Sequence, residues 1–272
     1  MMELLNYSDW VIRASDSHQL ERIEAFFSGH AFEPHQHDTF AIGRTLAGVQ
    51  SFYYRGAMRH SQSGMTIVLH PDEKHDGHAG TQEGFRYRMM YIEPALIQKI
   101  VKGKPLPFIK QGLSHDPRLY QATNILLQNM NDQLSILEKE DALYDLATTL
   151  YEVAGQSLYT RKNYDYIAAE KAREFIHASL DQDISLSDLE QHIQRDRWSL
   201  SRDFRLLFGT SPHRYMIMRR LEIVKKCLIN NESLTQTAMI AGFFDQSHMT
   251  RHFTRTFGVT PARWKQIYSQ LK

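Results

Sequence analysis

Cysteine is almost missing from this chain: its 272 residues include one, Cys227. A single thiol excludes an internal disulfide framework and fits a reducing cytoplasm. No uninterrupted apolar run approaches the ~20 residues that a membrane-spanning helix needs. The opening Met1-Met-Glu-Leu-Leu-Asn-Tyr-Ser-Asp9 has neither the basic region nor the apolar run of a secretory signal. Low-complexity and disorder-prone tracts are lacking too. The expectation is a cytoplasmic, two-domain globular protein with no membrane partner.

Net charge is equally scarce, at +1 overall, but it is unevenly placed. Residues 1–160 carry 14 Lys/Arg against 19 Asp/Glu, a balance of −5, and residues 161–272 carry 18 against 12, a balance of +6. A basic module that meets a polyanion, joined to one that does not, explains that division.

The most organised stretch is Thr237-Ala-Met-Ile-Ala-Gly-Phe-Phe-Asp-Gln-Ser-His-Met-Thr-Arg-His-Phe-Thr-Arg-Thr-Phe-Gly-Val-Thr-Pro261. It reads as a short helix, a turn opened by Gly242, and a second helix capped by Asp245. In the second helix Met249, Phe253, Thr256 and Phe257 form one inward stripe at spacings of three and four. Gly258 and Pro261 end it. A tight helix pair whose second helix is polar and basic is a helix-turn-helix, able to enter a DNA major groove. The pattern occurs again 49 residues earlier: Asp196, Leu200, Arg202, Phe204, Phe208, Gly209 and Pro212 match Asp245, Met249, Arg251, Phe253, Phe257, Gly258 and Pro261. Self-similarity at a fixed offset means a duplicated unit. The first copy differs at its turn, with Ile193-Gln194 where the second has Gly242-Phe243.

Residues 167–272 resemble the DNA-binding domain of the AraC family of bacterial transcriptional regulators. The strings Ala238-x-x-x-Gly-Phe243, Asp245-Gln-Ser-His-Met-Thr-Arg-x-Phe253 and Phe257-Gly-x-Thr-Pro261 carry the resemblance. It places base-reading residues at Trp198, Ser201 and Arg202, beside an outward Arg197 and a phosphate-contacting Arg205. In the second module Gln246, His248, Thr250 and Arg251 are assigned to the groove and Arg255 to the backbone, with Ser247 between the helix start and a phosphate contact. A bidentate Arg matches guanine O6 and N7, and an indole suits a thymine methyl. The nearly consensus turn makes Arg251 the stronger expectation of the two arginines. A helix over 213–230 joins the modules, about 27 Å at 1.5 Å per residue, against roughly 34 Å for one duplex turn.

In the first half, Gln50–Tyr54, Met65–Leu69 and Phe85–Ile92 alternate as strands do, separated by Gly/Pro/Asp turns. His35-x-His37 and Pro71-x-x-x-His75 look like the two motif strands of a cupin, a small jelly-roll barrel. This resembles the ligand-binding domain found N-terminal in many members of the same family. Three imidazoles suit a transition metal, but no acid follows His-x-His where catalytic cupins place a Glu. Asp38, adjacent to His37, points to the other face. Hydrogen-bonded rim histidines and pocket-lining histidines are the other two readings. The expectation is no metal and no cofactor, with His35, His37, Phe40, His75 and Tyr87 lining an effector pocket, and with His70 and His78 at the surface. Helices follow from Asp116 to Met130 and from Glu138 to Leu158. Their stripes cover the barrel or, as the family implies, mediate homodimer contacts. Tyr159–Tyr164 is the expected linker.

The resulting expectation is an α+β two-domain chain. Residues 1–160 form a cupin-like β-barrel with flanking helices, and residues 161–272 form an all-α domain of two helix-turn-helix modules. Its function is sequence-specific regulation of transcription on double-stranded promoter DNA, not enzymatic, responsive to an unidentified small-molecule effector. RNA polymerase is a partner if the chain is an activator. The alternatives are a metal-dependent cupin enzyme with a regulatory DNA-binding domain, and a ligand-independent DNA-binding regulator.

Overall fold

Alternating side chains build the first half. The structure is a computed structural model that describes residues 9–14, 20–101, 103–128, 130, 134–155 and 164–269, the side chains of 267–269 excepted. The chain forms two compact units, one of Met1–Pro34, Thr39–Val101 and Pro107–Leu158, the other of His35–Asp38, Lys102–Leu106 and Tyr159–Lys272. The expected linker and its boundary near residue 160 fall almost wholly outside the described residues.

The strands are β1 (Trp10–Arg13), β2 (Leu20–Phe27), β3 (His30–His35), β4 (Phe40–Gly48), β5 (Gln50–Tyr54), β6 (Ala57–Ser61), β7 (Thr66–Leu69), β8 (His75–Ala79), β9 (Phe85–Ile92) and β10 (Leu113–Ser114). They make a six-stranded sheet in the order β1-β2-β9-β4-β7-β10 and a four-stranded sheet in the order β3-β8-β5-β6. Ile23, Ala25 and Phe27 of β2 and Phe85, Tyr87 and Met89 of β9 share one core with Phe52 and Tyr54 of β5, so the two sheets face each other across it. The closed barrel expected from sequence is not what forms. Closure needs a ladder between outermost strands, and among the described residues none joins the two sheets. Both remain open, with β1 and β10, and β3 and β6, as their edges. The two-residue β10 and the half-exposed β6 fit edge positions.

On the other face of the six-stranded sheet lie α2 (Pro117–Ala122), α3 (Asn124–Leu127) and α4 (Ile136–Val153), while α1 (Pro94–Val101) follows β9. Sequence periodicity suggested one helix from Asp116 to Met130. It breaks at Thr123, whose hydroxyl donates to the Tyr120 carbonyl at 2.7 Å, competing with the backbone ladder. Two arginines cover the end of α3: Arg22 Nη1 donates to Leu126 O at 3.0 Å and Arg88 Nη1 to Leu127 O at 2.8 Å. Leu143, Leu146, Ala147, Leu150 and Tyr151 of α4, the stripe offered for dimer contacts, are buried within this unit. Ile136, Leu137 and Tyr144 are the exposed apolar residues of that helix.

His70 is a second correction, because it is buried rather than at the surface. The Ile109 N–H donates to its Nε2 at 3.0 Å, so Nδ1 carries the proton and faces the Tyr54 hydroxyl at 2.8 Å. Burial, reinforced by Arg55, pushes its pKa down to about 3.

The second unit is helical: α5 (Tyr166–Ala178), α6 (Leu186–Ile193), α7 (Arg197–Phe208), α8 (Pro212–Ile229), α9 (Leu234–Ile240), α10 (Gln246–Phe257) and α11 (Pro261–Ser269). Ser185, Asp196, Ser211, Ser233 and Asp245 each accept a backbone N–H at the start of a helix. The 18-residue α8 carries Ile217, Met218, Leu221, Val224 and Leu228 into a core with Phe243, Met249 and Phe253. Segment 35–38 belongs to this unit. Arg219 Nη2 donates to the buried Asp38 carboxylate at 2.7 Å, and Arg214 Nη2 donates to Gln36 O at 3.0 Å. No helix among the described residues is long and apolar enough to cross a membrane.

Candidate nucleic-acid interface

Helices α7 and α10 are built alike. Each has 12 residues, an Asp N-cap and a Gly C-cap in the left-handed region, Gly209 at φ 74° and Gly258 at φ 69°. Each buries an aromatic stripe: Phe204 lies 4.7 Å from Phe208, and Phe253 lies 4.6 Å from Phe257, centroid to centroid. Opposite the stripe, Trp198, Arg202 and Arg205 are exposed on α7 and Gln246, Ser247, Arg251 and Arg255 on α10, whereas Ser201, expected outward among the base readers, is buried beside Leu200 and Phe204.

In the first module Trp198 is 71% exposed. Arg197 is tied back to α6, with Nε 2.9 Å from Glu190 Oε2 and Nη1 donating to Ser187 Oγ at 2.9 Å. Ser201 is buried, and it accepts from Arg205 Nη1, which also donates to Ser201 O at 3.1 Å. Arg205 is thus folded onto its own helix. The Arg202 guanidinium stands on the exposed side but is held by Asp203, whose Oδ1 accepts from Nε at 3.1 Å and from Nη2 at 3.0 Å.

In the second module Thr235 Oγ1 donates to Gln246 Oε1 at 3.0 Å, joining α9 to α10. Ser247 is exposed and Thr250 half-buried. His248 Nε2 lies 3.0 Å from His252 Nε2, and both rings pack against Phe243. Burial, then the nearby His248, His213, Arg214 and Arg251, push the His252 pKa down to about 4. Arg251 and Arg255 are exposed and make no hydrogen bond or ion pair among the described residues.

Sequence reasoning missed three residues here. Asp203 and His252 occupy the same place in the two modules, one residue after the matched arginines. The charged or titratable residue interrupting an apolar phase was the available signal. Phe244, 93% exposed beside the Asp245 cap, was the third.

Of the residues assigned to the first half, Phe40 and Tyr87 are fully buried. His35 and His37 lie in the second unit, their ring centroids 6.0 Å apart, whereas His75 lies in the first. His75 Nδ1 is 2.9 Å from Glu73 O. A carbonyl only accepts, so Nδ1 holds the proton of this bond.

Comparison with known proteins matches this layout. A model described as the AraC-like ligand binding domain matches residues 17–147, and a helix-turn-helix domain model matches residues 189–267. The probable transcriptional regulator LumQ of Photobacterium leiognathi is 21% identical over 249 residues, covering 90% of this chain and 95% of its own. The multiple antibiotic resistance protein MarA of Escherichia coli (strain K12) is 29% identical over 112 residues, 41% of this chain and 88% of its own. ToxT from Vibrio cholerae shares the fold at a TM-score of 0.64 and 12% identity, covering 96% of this chain and 99% of its own. The duplicated, capped helix pairs and the two domain matches lead to one conclusion: the chain belongs to the AraC family of regulators, with an N-terminal ligand-binding domain and a C-terminal helix-turn-helix domain that binds DNA in a sequence-specific manner.

Proposed function

We propose that α7 and α10 of one chain read two successive major-groove segments of a promoter. The observation that carries this is the pair of exposed arginines, Arg202 and Arg251, at matched positions on two identically capped helices. Trp198 and Arg202 read bases in one segment. Gln246, Thr250 and Arg251 read them in the other, with His248 held in the wall of its own module. Ser201 supports Arg205, which, with Arg197, Ser247 and Arg255, contacts phosphate after local rearrangement. In a binding assay on a selected operator, Arg202→Ala and Arg251→Ala each lose about 1–3 kcal/mol and relax preference at different bases. Arg205→Ala weakens all sequences alike and lowers the salt slope by about one. A footprint with one helix's worth of preference, indifferent to both base-reading changes, overturns the two-segment reading.

The first unit is the sensor in this proposal, and it shifts the balance between DNA-competent and incompetent states by differential effector affinity. ToxT, whose fold is similar, has been solved bound to an unsaturated fatty acid, which supports a small-molecule effector of the first unit without fixing its chemistry. A homodimer would use the exposed side of α4, around Leu137 and Tyr144, since the other stripe is covered.

A further inference from the structure

We infer that Asp203 is a specificity-determining positioning residue, which fixes the Arg202 guanidinium so that its end fork faces the DNA. This rests on the reading of α7 as a base-reading helix. Asp203 is 0% exposed, yet it lies in the helix whose other face is polar. Its two oxygens divide the work. Oδ2 accepts the Asp165 N–H at 3.0 Å, and Arg195 Nη2 donates to the same atom, so the carboxylate is anchored to the start of α5 and to the turn before α7. Oδ1 accepts from Nε and Nη2 of Arg202.

A guanidinium has five N–H donors in a rigid plane. With Nε–H and one Nη2–H on the carboxylate, both Nη1–H bonds and the second Nη2–H remain. Those are the donors that span guanine N7 and O6 in an end-on approach. The Arg202 side chain keeps 59% of its surface exposed while held in this way. An arginine fixed before binding loses less rotamer freedom when it meets a base. The same carboxylate also disfavours phosphate, so the fork is steered from backbone contact towards base contact. The second module has no counterpart: His252 stands at the matched position, and Arg251 makes no hydrogen bond or ion pair among the described residues.

The experiment uses the full chain, an operator obtained by selection from random duplexes, and a scrambled duplex of equal length. Asp203→Asn is expected to reduce the operator-to-scramble affinity ratio about tenfold, to relax preference at the base read by Arg202 only, and to strengthen scramble binding. In an Arg202→Ala background the same change should leave base preference unaltered. A purely structural Asp203 would lower both affinities together and act equally in both backgrounds, which overturns the inference. A rise in the ratio for Asp203→Asn also overturns it, since Asp203 would then be withholding Arg202. Should Asp203→Asn melt the unit, Arg202→Lys decides. Lysine keeps the charge but cannot be held by two bonds in one plane, so it should keep the salt slope and lose the preference; retained preference overturns the inference. A wild-type chain without sequence preference overturns the proposed function instead, and is recognised before any variant is made.

Discussion

The two modules share a blueprint and differ in what secures it. Between α6 and α7 the turn runs from Gln194 to Asp196, and between α9 and α10 it runs from Ala241 to Asp245. The shorter turn places a glutamine in the left-handed region, at φ 59°, while the longer one uses Gly242 at φ 74°. Beyond the turn, the first module is stitched by ion pairs: Asp203 with Arg195 and Arg202, and Glu190 with Arg197. The second relies on rings, with Phe243, His248 and His252 packed together. A duplicated motif has thus kept its caps and its aromatic stripe while exchanging a carboxylate cluster for an imidazole cluster. Stripe and caps make the helix pair; the residue after the matched arginine decides how that arginine is held.

The turns offer the largest test of this contrast. A Cβ on Gly242 would stand 2.5 Å from the Leu180 carbonyl oxygen, in a backbone conformation that other L-residues adopt only at a cost. Gly242→Ala should destabilise the unit by about 2 kcal/mol or more, measured by urea unfolding. Gln194→Gly should change stability by less than about 1 kcal/mol, because relief of left-handed strain is offset by a more flexible unfolded chain. Equal effects at the two turns would end the distinction.

Acid should separate the modules more gently. The folded pKa of His252 is about 4, below the ordinary value of 6.5. Between those values the unfolded chain binds more protons, so the contribution of neutral His252 is complete above pH 6.5 and lost as pH falls towards 4. Desolvation pushes the Asp203 carboxyl up, but the Asp165 N–H, Arg195 and Arg202 outweigh it and hold the pKa below 3.8. Its contribution therefore persists above 3.8 and disappears only as pH falls through that lowered value. Amide exchange should show α10 loosening before α7 on acidification from pH 6.5, and His252→Gln should reduce that difference. Simultaneous loosening would mean that the clusters do not act separately.

Much of this was legible in the sequence, for a local reason. Alternation over Phe85–Ile92 and the stripe Met249, Phe253, Phe257 are read from neighbours on one element, and the structure builds a strand and a helix there. The offset of 49 residues made the modules visible, and Asp196 and Asp245 cap the helices assigned to them. What could not be read was long-range. Turn spacing counts strands but does not choose the pairing of their edges, so a closed barrel and two open sheets look the same. The burial of His70 depends on Tyr54 and Ile109, and the role of Asp203 depends on Asp165, 38 residues away. The break at Thr123 was local, yet a hydroxyl competing for one carbonyl leaves no mark on periodicity.

The ion pair of Asp38 with Arg219 has a consequence for synthesis. The two residues are 181 positions apart, roughly 10–40 s of translation at about 5–20 residues per second. Through that interval the carboxylate has to stay hydrated, since a buried charge without its partner is strongly unfavourable. Segment 35–38 therefore has no stable buried place until α8 has left the ribosome. One of the earliest parts of the chain to be made is among the last to be ordered, and the second unit is completed only on a nearly finished polypeptide.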